Sequence, residues 1–373
     1  MAEFGEKALG ARIKEARERA GLKQGELAAL VGLERTTVNK IEGGVRKVAA
    51  LELADIASVL GERMSSFLSE PPSALVSHRS SRGPDIADSQ IDRLLAGLAV
   101  DVELVQSLAA GELGLPASQL EALPRPDSLT DADQLAIQAR ELLGLGASAP
   151  AHDLVDRAAS IGLLVFSRDL GVDTADAGTI QLRQGGVSLV NSHNKVGRRR
   201  LALAHELGHY LVADEYVVDW RVSDQHGGDI ESRLDRFARS LLLPEPGVKA
   251  AWAQSEARDL RERSVLIASE FRVDMGTLAR RLEELGLVDR DAAFLIRATT
   301  TTRADIVEFG LYVPTDMGGT SLPVPYQKAV LRSFHDEQIS QERALELLHG
   351  TFAEDDLPPL RPRREDEIWN FVS

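Results

Sequence analysis

Between residues 71 and 84 the sequence reads PPSALVSHRSSRGP. Pro, Ser and Gly displace the apolar periodicity that a packed core requires, so the stretch reads as an interdomain linker, and the chain must fold as more than one body. What precedes it is helical in pattern. Leu9, Ile13, Ala16 and Ala20 recur at helical spacing before Gly21, and Leu27, Leu30 and Val31 form a second apolar face before Gly32. Val38 and Ile41 form a third before Gly43 and Gly44, and Leu51, Leu53, Ile56 and Leu60 a fourth before Gly61. Glycine after each run is a natural helix stop. Four such short helices make one compact all-α module.

Beyond the linker, Ile91, Leu94, Leu95, Leu98, Val102 and Val105 lie on one stripe, which predicts a helix over 86 to 110 that acts as a spacer or a dimerisation element. Pro116, Pro124 and Pro126 then interrupt the pattern. From about 128 to 298 helical runs at 132 to 143 and 154 to 161 lead into β-like runs at 163 to 166, 178 to 182 and 187 to 190. Longer helices are expected near 196 to 213 and 229 to 242, and the mixture indicates α+β. In the last part, TTTTRADIVEFGLYV suggests the start of a strand and 341 to 349 a helix. The expected plan is a helical domain at 1–70, a linker and spacer helix at 71–127, an α+β domain at 128–298, and a C-terminal region of unassigned role at 299–373.

Charge and cysteine content narrow the chemistry. The 373 residues hold 43 Lys plus Arg against 58 Asp plus Glu, a net charge of −15. This argues against a chain that coats nucleic acid by bulk charge. Residues 1–70 hold 11 of each sign, so the first module is neutral and the excess lies beyond it. With no cysteine, a disulfide scaffold, a thiol nucleophile and a thiolate-bound zinc are all excluded. Any metal must be held by His, Asp or Glu. The N-terminal stretch has no apolar run of signal-peptide length, and no later stretch reaches the ~20 apolar residues of a membrane span, so a soluble cytoplasmic protein without a membrane partner is expected.

Within KVGRRRLALAHELGHYLVADEY stands an HExxH motif, His205, Glu206 and His209. Residues four apart share a helix face, so both imidazoles can address one ion while Glu206 holds the attacking water. Neutral imidazoles suit zinc, and Glu206 is placed to take the water's proton and pass it to the leaving amine. A third ligand must be His or a carboxylate. Glu231, in ESRLDRFARSLLLP, is the candidate, with Asp235 one turn along to accept the N–H of a metal-bound imidazole. His226, in the glycine-containing DQHGGD, is the alternative third ligand.

These residues resemble the ImmA/IrrE family of bacterial metallopeptidases, from about Asp131 to Val288. The second family signature is matched by Glu231, Asp235, Phe237, Ala238, Leu241, Leu242 and Pro244. The resemblance implies a zincin-like α+β fold with a small sheet and an HExxH helix, and a gluzincin-like zinc metalloendopeptidase with one ion per chain, zinc or alternatively manganese. It also implies that VSLVN, 187 to 191, is the family's edge strand, which in metallopeptidases can bind substrate by β-addition, and that 271 to 288 form the closing helical pair. Leu234 stands where a small Ala is usual, and Arg233 is a bulky charge near the ligand.

The first module resembles the XRE, or lambda-repressor-type, helix-turn-helix family, with TTVNKIEGGVRKVAALELADIASVLG following its pattern. The resemblance places the third helix in the major groove of double-stranded operator DNA, with Arg35, Thr36, Thr37, Asn39 and Lys40 at the bases and Gln24, Arg46 and Lys47 at phosphates. A neutral module binds weakly as one copy, which predicts a homodimer on two half-sites. Relatives of the peptidase act on XRE-type repressors, so the expected function is a transcriptional regulator that cleaves such a repressor, or its own chain within 71–84. The competing expectations are a non-proteolytic factor that uses the peptidase-like domain as a metal or ligand sensor, and an antitoxin-like member of a toxin pair.

Overall fold

The computed structural model describes residues 5–60, 64, 67, 75–79, 88–116, 121–172, 174–213 and 227–360. The chain divides into two units, Met1–Ser73 and Ala74–Ser373.

The first unit holds α1 (Glu6–Arg19), α2 (Gln24–Leu30), α3 (Arg35–Glu42) and α4 (Ala50–Leu60). Ile13, Ala16, Leu27, Ala28, Val38, Ile41, Leu53, Ile56, Ala57 and Leu60 form its core. Three residues expected in that core are not there: Ala20 is exposed, Leu30 is 61% and Leu51 80% exposed. At about 100° per residue, Leu30 lies more than a quarter turn from the middle of the stripe of Leu27, Ala28 and Val31, and Leu51 is on the far side of α4 from Leu53 and Ile56. Gly10 lets α1 approach α3 closely, since a Cβ there would meet the Ile41 carbonyl oxygen at 2.2 Å. Arg17 of α1 is buried beside Glu42 of α3, Nε to Oε1 at 2.5 Å, which ties the two helices by a charge-assisted bond.

The second unit is built on a four-stranded sheet of β1 (Leu75–Arg79), β2 (Leu163–Arg168), β3 (Ala177–Gln181) and β4 (Gly186–Asn191), in the order β1-β3-β4-β2. β2 and β4 are parallel, while β3 is antiparallel to β4 and β1 antiparallel to β3. Two expectations change here. The segment read as a linker contributes a strand, and VSLVN is not an edge: it forms β4, buried along its whole length between β3 and β2. A strand covered on both faces reads as a continuous apolar run, which fits an interior place.

Alternation along the strands divides the interior in two. Leu163, Val165, Ala177 and Val190 join one core with α6 (Leu129–Leu142), α7 (Leu154–Ser160), α8 (Val196–Leu211), α9 (Gly227–Leu242), α10 (Glu245–Gln254), α11 (Leu260–Phe271), α12 (Met275–Glu284) and α13 (Arg290–Ala298). Leu164, Phe166, Ile180, Val187 and Leu189 join the other with α5 (Asp88–Leu113), α15 (Val324–His335) and α16 (Gln341–Leu347). The stretches read as spacer and C-terminal region thus cover the sheet's second face. Tyr326 is fully buried there, edge-on to Phe166 at 5.1 Å, with its hydroxyl donating to the Leu347 carbonyl. The strand expected to begin near TTTT is instead the helix α14 (Arg303–Glu308). Thr302 caps it, accepting from the Asp305 N–H while Asp305 accepts from the Thr302 N–H, a reciprocal capping box.

Candidate metal centre

The apolar stretch Leu201 to Ala204 carries α8 into the first core, and His205, Glu206 and His209 are 1%, 0% and 3% exposed. Burying such groups is costly unless each meets a partner. For the two histidines the partners come from α9. Glu231 Oε2 lies 3.0 Å from His205 Nε2, and its Oε1 lies 3.3 Å from His209 Nε2. The two Nε2 atoms are 3.2 Å apart. Among the described residues, His205, His209 and Glu231 form the one group of three whose ligand atoms lie within 4.8 Å of one another. Two imidazole nitrogens and one carboxylate oxygen make the donor set of a zinc site with an open fourth position, so the residues present fit a divalent cation.

Asp235 Oδ1 is 3.0 Å from His205 Nδ1. Accepting the proton at Nδ1, it leaves the Nε2 lone pair aimed at the ligand group. Burial alone would lower the pKa of His205, but Asp235 and Glu231 outweigh it and the pKa is raised. Burial alone would raise that of Glu231, but the hydrogen bonds from both histidines hold it well below the usual carboxylate range. Neighbouring charge, rather than solvation, sets the state of each group.

Close packing of α8 on α9 positions these side chains. A Cβ at Gly208 would stand 2.9 Å from Phe237 and 3.0 Å from Leu234, so the glycine inside HELGH makes room for the large Leu234. Arg233 donates to the Pro126 carbonyl. Further contacts that the sequence reading missed brace α9. Asp133 on α6 accepts from Arg236 and Ser240 of α9 and from Arg281 of α12, and despite its burial these partners lower its pKa. The signal available was a series of arginines on otherwise apolar helices. At the start of α8, the fully buried Arg200 bonds the carbonyls of Ala151 and His152 and the carboxylate of Asp316. His152 and His193 stay outside the metal group, bonded to the Glu270 carbonyl and to Asp169. His226 lies outside the described residues.

In the first unit, Arg35, Thr36, Asn39 and Lys40 are exposed on α3 and Thr37 is half-buried. Gln24, at the start of α2, donates to Glu42 at 2.8 Å and to Asn39 at 3.4 Å. Arg46 makes a two-point pair with Glu52, and Lys47, largely exposed, is 3.4 Å from Glu6. Arg46 is therefore engaged within the protein, and on the exposed surface of α3 Thr36 donates to Glu34 while Asn39 accepts from Gln24.

Comparison with known proteins agrees with both units. Residues 8–62 match the family model of a helix-turn-helix domain, and residues 158–283 match that of the IrrE N-terminal-like domain. No curated protein gives a match to the chain. Among solved structures, the apo form of the competence regulator ComR from Streptococcus vestibularis is similar at 14% identity over 94% of this chain and 98% of that one. Its TM-score of 0.16 is too low to relate the folds. Among the described residues, no helix is long and apolar enough to cross a membrane.

Proposed function

Because the chain joins an XRE-type helix-turn-helix domain to a peptidase domain of the ImmA/IrrE type, we propose that it is an operator-binding, cytoplasmic transcriptional regulator that also hydrolyses peptide bonds with one zinc ion per chain. Its substrate is a repressor-type protein, or its own chain, and cleavage switches transcription. The observation that carries this reading is the convergence of His205, His209 and Glu231 beside a fully buried Glu206.

His205, His209 and Glu231 would hold the ion, with manganese the alternative occupant. When bound, the ion supplies Lewis acidity toward the scissile carbonyl and lowers the pKa of a water toward ~7. Asp235 keeps His205 in the tautomer that offers Nε2. Glu206 accepts the proton of the attacking water on its carboxylate and delivers it to the leaving amine. In the first unit, Arg35, Thr36, Thr37, Asn39 and Lys40 read base edges, and Gln24, Arg46 and Lys47 approach phosphates, with Arg46 exchanging Glu52 for phosphate. The neutral charge of this unit supports action as a homodimer on two half-sites.

The test incubates the zinc-loaded chain and Glu206→Gln with an XRE-type repressor encoded beside it. Fragments are expected from the wild type, and about 10²- to 10⁴-fold more slowly from the variant. Equal fragmentation by both, or none by either, would sink the proteolytic role.

A further inference from the structure

The sheet has two edges, and they are closed in different ways. Outside β2 lies a single bridge, in which Ser167 and Ser321 exchange backbone bonds of 3.0 Å in both directions. Outside β3 lies a whole strand, β1, paired from Leu75 opposite Gln181 to Arg79 opposite Ala177. Protection of an exposed edge needs little, as the β2 side shows. Five residues in continuous register are more than protection requires.

The place and direction of β1 say what it imitates. β3 is antiparallel to its inner neighbour β4, and the helix of the HExxH motif, α8, packs against both β3 and β1. An extended peptide that binds by strand addition takes an outer position on a sheet edge, held by backbone hydrogen bonds. β1 holds that position antiparallel to β3, alongside the helix that carries His205, Glu206 and His209. It is also foreign to the local chain. It comes from about a hundred positions upstream of β3, out of the Pro- and Ser-rich stretch, and starts two positions after the last residue of the helix-turn-helix unit.

We propose that residues 75–79 occupy the substrate position on β3, so that the chain's own segment must leave this edge before a peptide of another protein is bound. The proposal rests on the reading of the second unit as a peptidase, and it chooses between that reading's two substrates: the segment blocks the site and is not cut by it. A tethered strand acts at an effective concentration on the order of millimolar. A competing peptide is therefore excluded until something removes the strand.

The chain's lack of cysteine makes the test clean. Ser77 and Thr179 are directly paired, and facing residues of an antiparallel pair stand about 4.5–5.5 Å apart at Cα, within the span of a disulfide. In the full chain carrying Ser77→Cys and Thr179→Cys, mild oxidation should link the two positions, read by mass spectrometry of the joined peptides. Absence of the link overturns the proposal. In a second chain, 75–79 is replaced by Gly-Ser-Gly-Ser-Gly, and a fluorescent peptide of residues 74–80 is titrated into it. Binding at least about tenfold tighter than to the wild type is expected, with none to the oxidised double-cysteine chain. Equal binding to all three overturns the proposal. With zinc, hydrolysis of an added protein should rise in the Gly-Ser chain and stop reversibly on oxidation of the cysteine pair. If no chain hydrolyses anything while the linkage and peptide binding behave as expected, the peptidase reading falls and occupation of the edge stands. Cleavage inside 75–79 by the wild type, absent in Glu206→Gln, would show a substrate in place of a block and overturn the inference.

Discussion

α3 and α8 both carry polar chemistry, yet they treat it in opposite ways. On α3, Arg35, Thr36, Asn39 and Lys40 face water, which solvates them at no cost to the fold. On α8, His205, Glu206 and His209 are withdrawn from water almost completely. A buried polar group left unmatched costs about 1–3 kcal/mol, and more when charged. The surroundings of α8 are accordingly specified: Glu231 meets both histidines, Asp235 orients one of them, and Asp133 with Arg236 and Arg281 fixes the helix that supplies both carboxylates. The difference teaches where to look for function. Buried chemistry is identified by its partners, whereas exposed chemistry is identified by the side-chain types it offers to a partner outside the molecule.

Perturbing each helix should separate the two cases. Removing a ligand should have the largest effect: Glu231→Ala is expected to weaken zinc binding by more than about 100-fold, read as zinc per chain after dialysis, with operator affinity unchanged. A variant that retained its zinc would show that the matched set does not bind as one. Asp235→Asn, which keeps the shape but loses the carboxylate on His205 Nδ1, should weaken zinc by about 10- to 100-fold. On α3, Arg35→Ala or Asn39→Ala should each cost about 1–3 kcal/mol of operator affinity and leave the zinc content as it was. Coupling between the two readouts would break the contrast drawn here.

Smaller effects test the packing behind the site. Gly208→Ala should destabilise the second unit by about 1–3 kcal/mol in urea, because Phe237 and Leu234 must move, while unfolding of the first unit stays put. The acid limb of stability should report Asp133. Its folded pKa is lowered, so its contribution is fully present above the ordinary value of ~3.9 and is lost as pH falls through the lowered value. Circular dichroism against pH should show this loss in the wild type, and Asp133→Asn should flatten it.

The grouping of His205, His209 and Glu231 was legible because its spacing is local. His205 and His209 are one turn apart on a helix, as are Glu231 and Asp235, and only the pairing of the two helices had to come from elsewhere. The helix α14 was misread although Thr302 and Asp305 carry a capping box, because the run of β-branched threonines before it suggested a strand. What could not be read is the non-local pairing. β1 is joined to β3 by backbone groups, which every residue possesses, so its Pro- and Ser-flanked sequence carries no apolar signature. The docking of 324–348 on the sheet is likewise a matter of apolar burial, and Tyr326 or Leu347 would suit many surfaces equally well. The interior place of β4 comes from β3 and β2 on its two sides, a pairing that its own apolar run does not encode.

The seating of β1 also sets a length. While the strand is paired, the second unit takes hold of the chain at Leu75; once it is unpaired, the next described element begins at Asp88, thirteen positions further on. Fully extended, that much chain adds up to about 45 Å. Successive operator half-sites are separated by about 34 Å, so detaching one five-residue strand would lengthen the chain available to the helix-turn-helix unit by more than the half-site spacing of the proposed dimer.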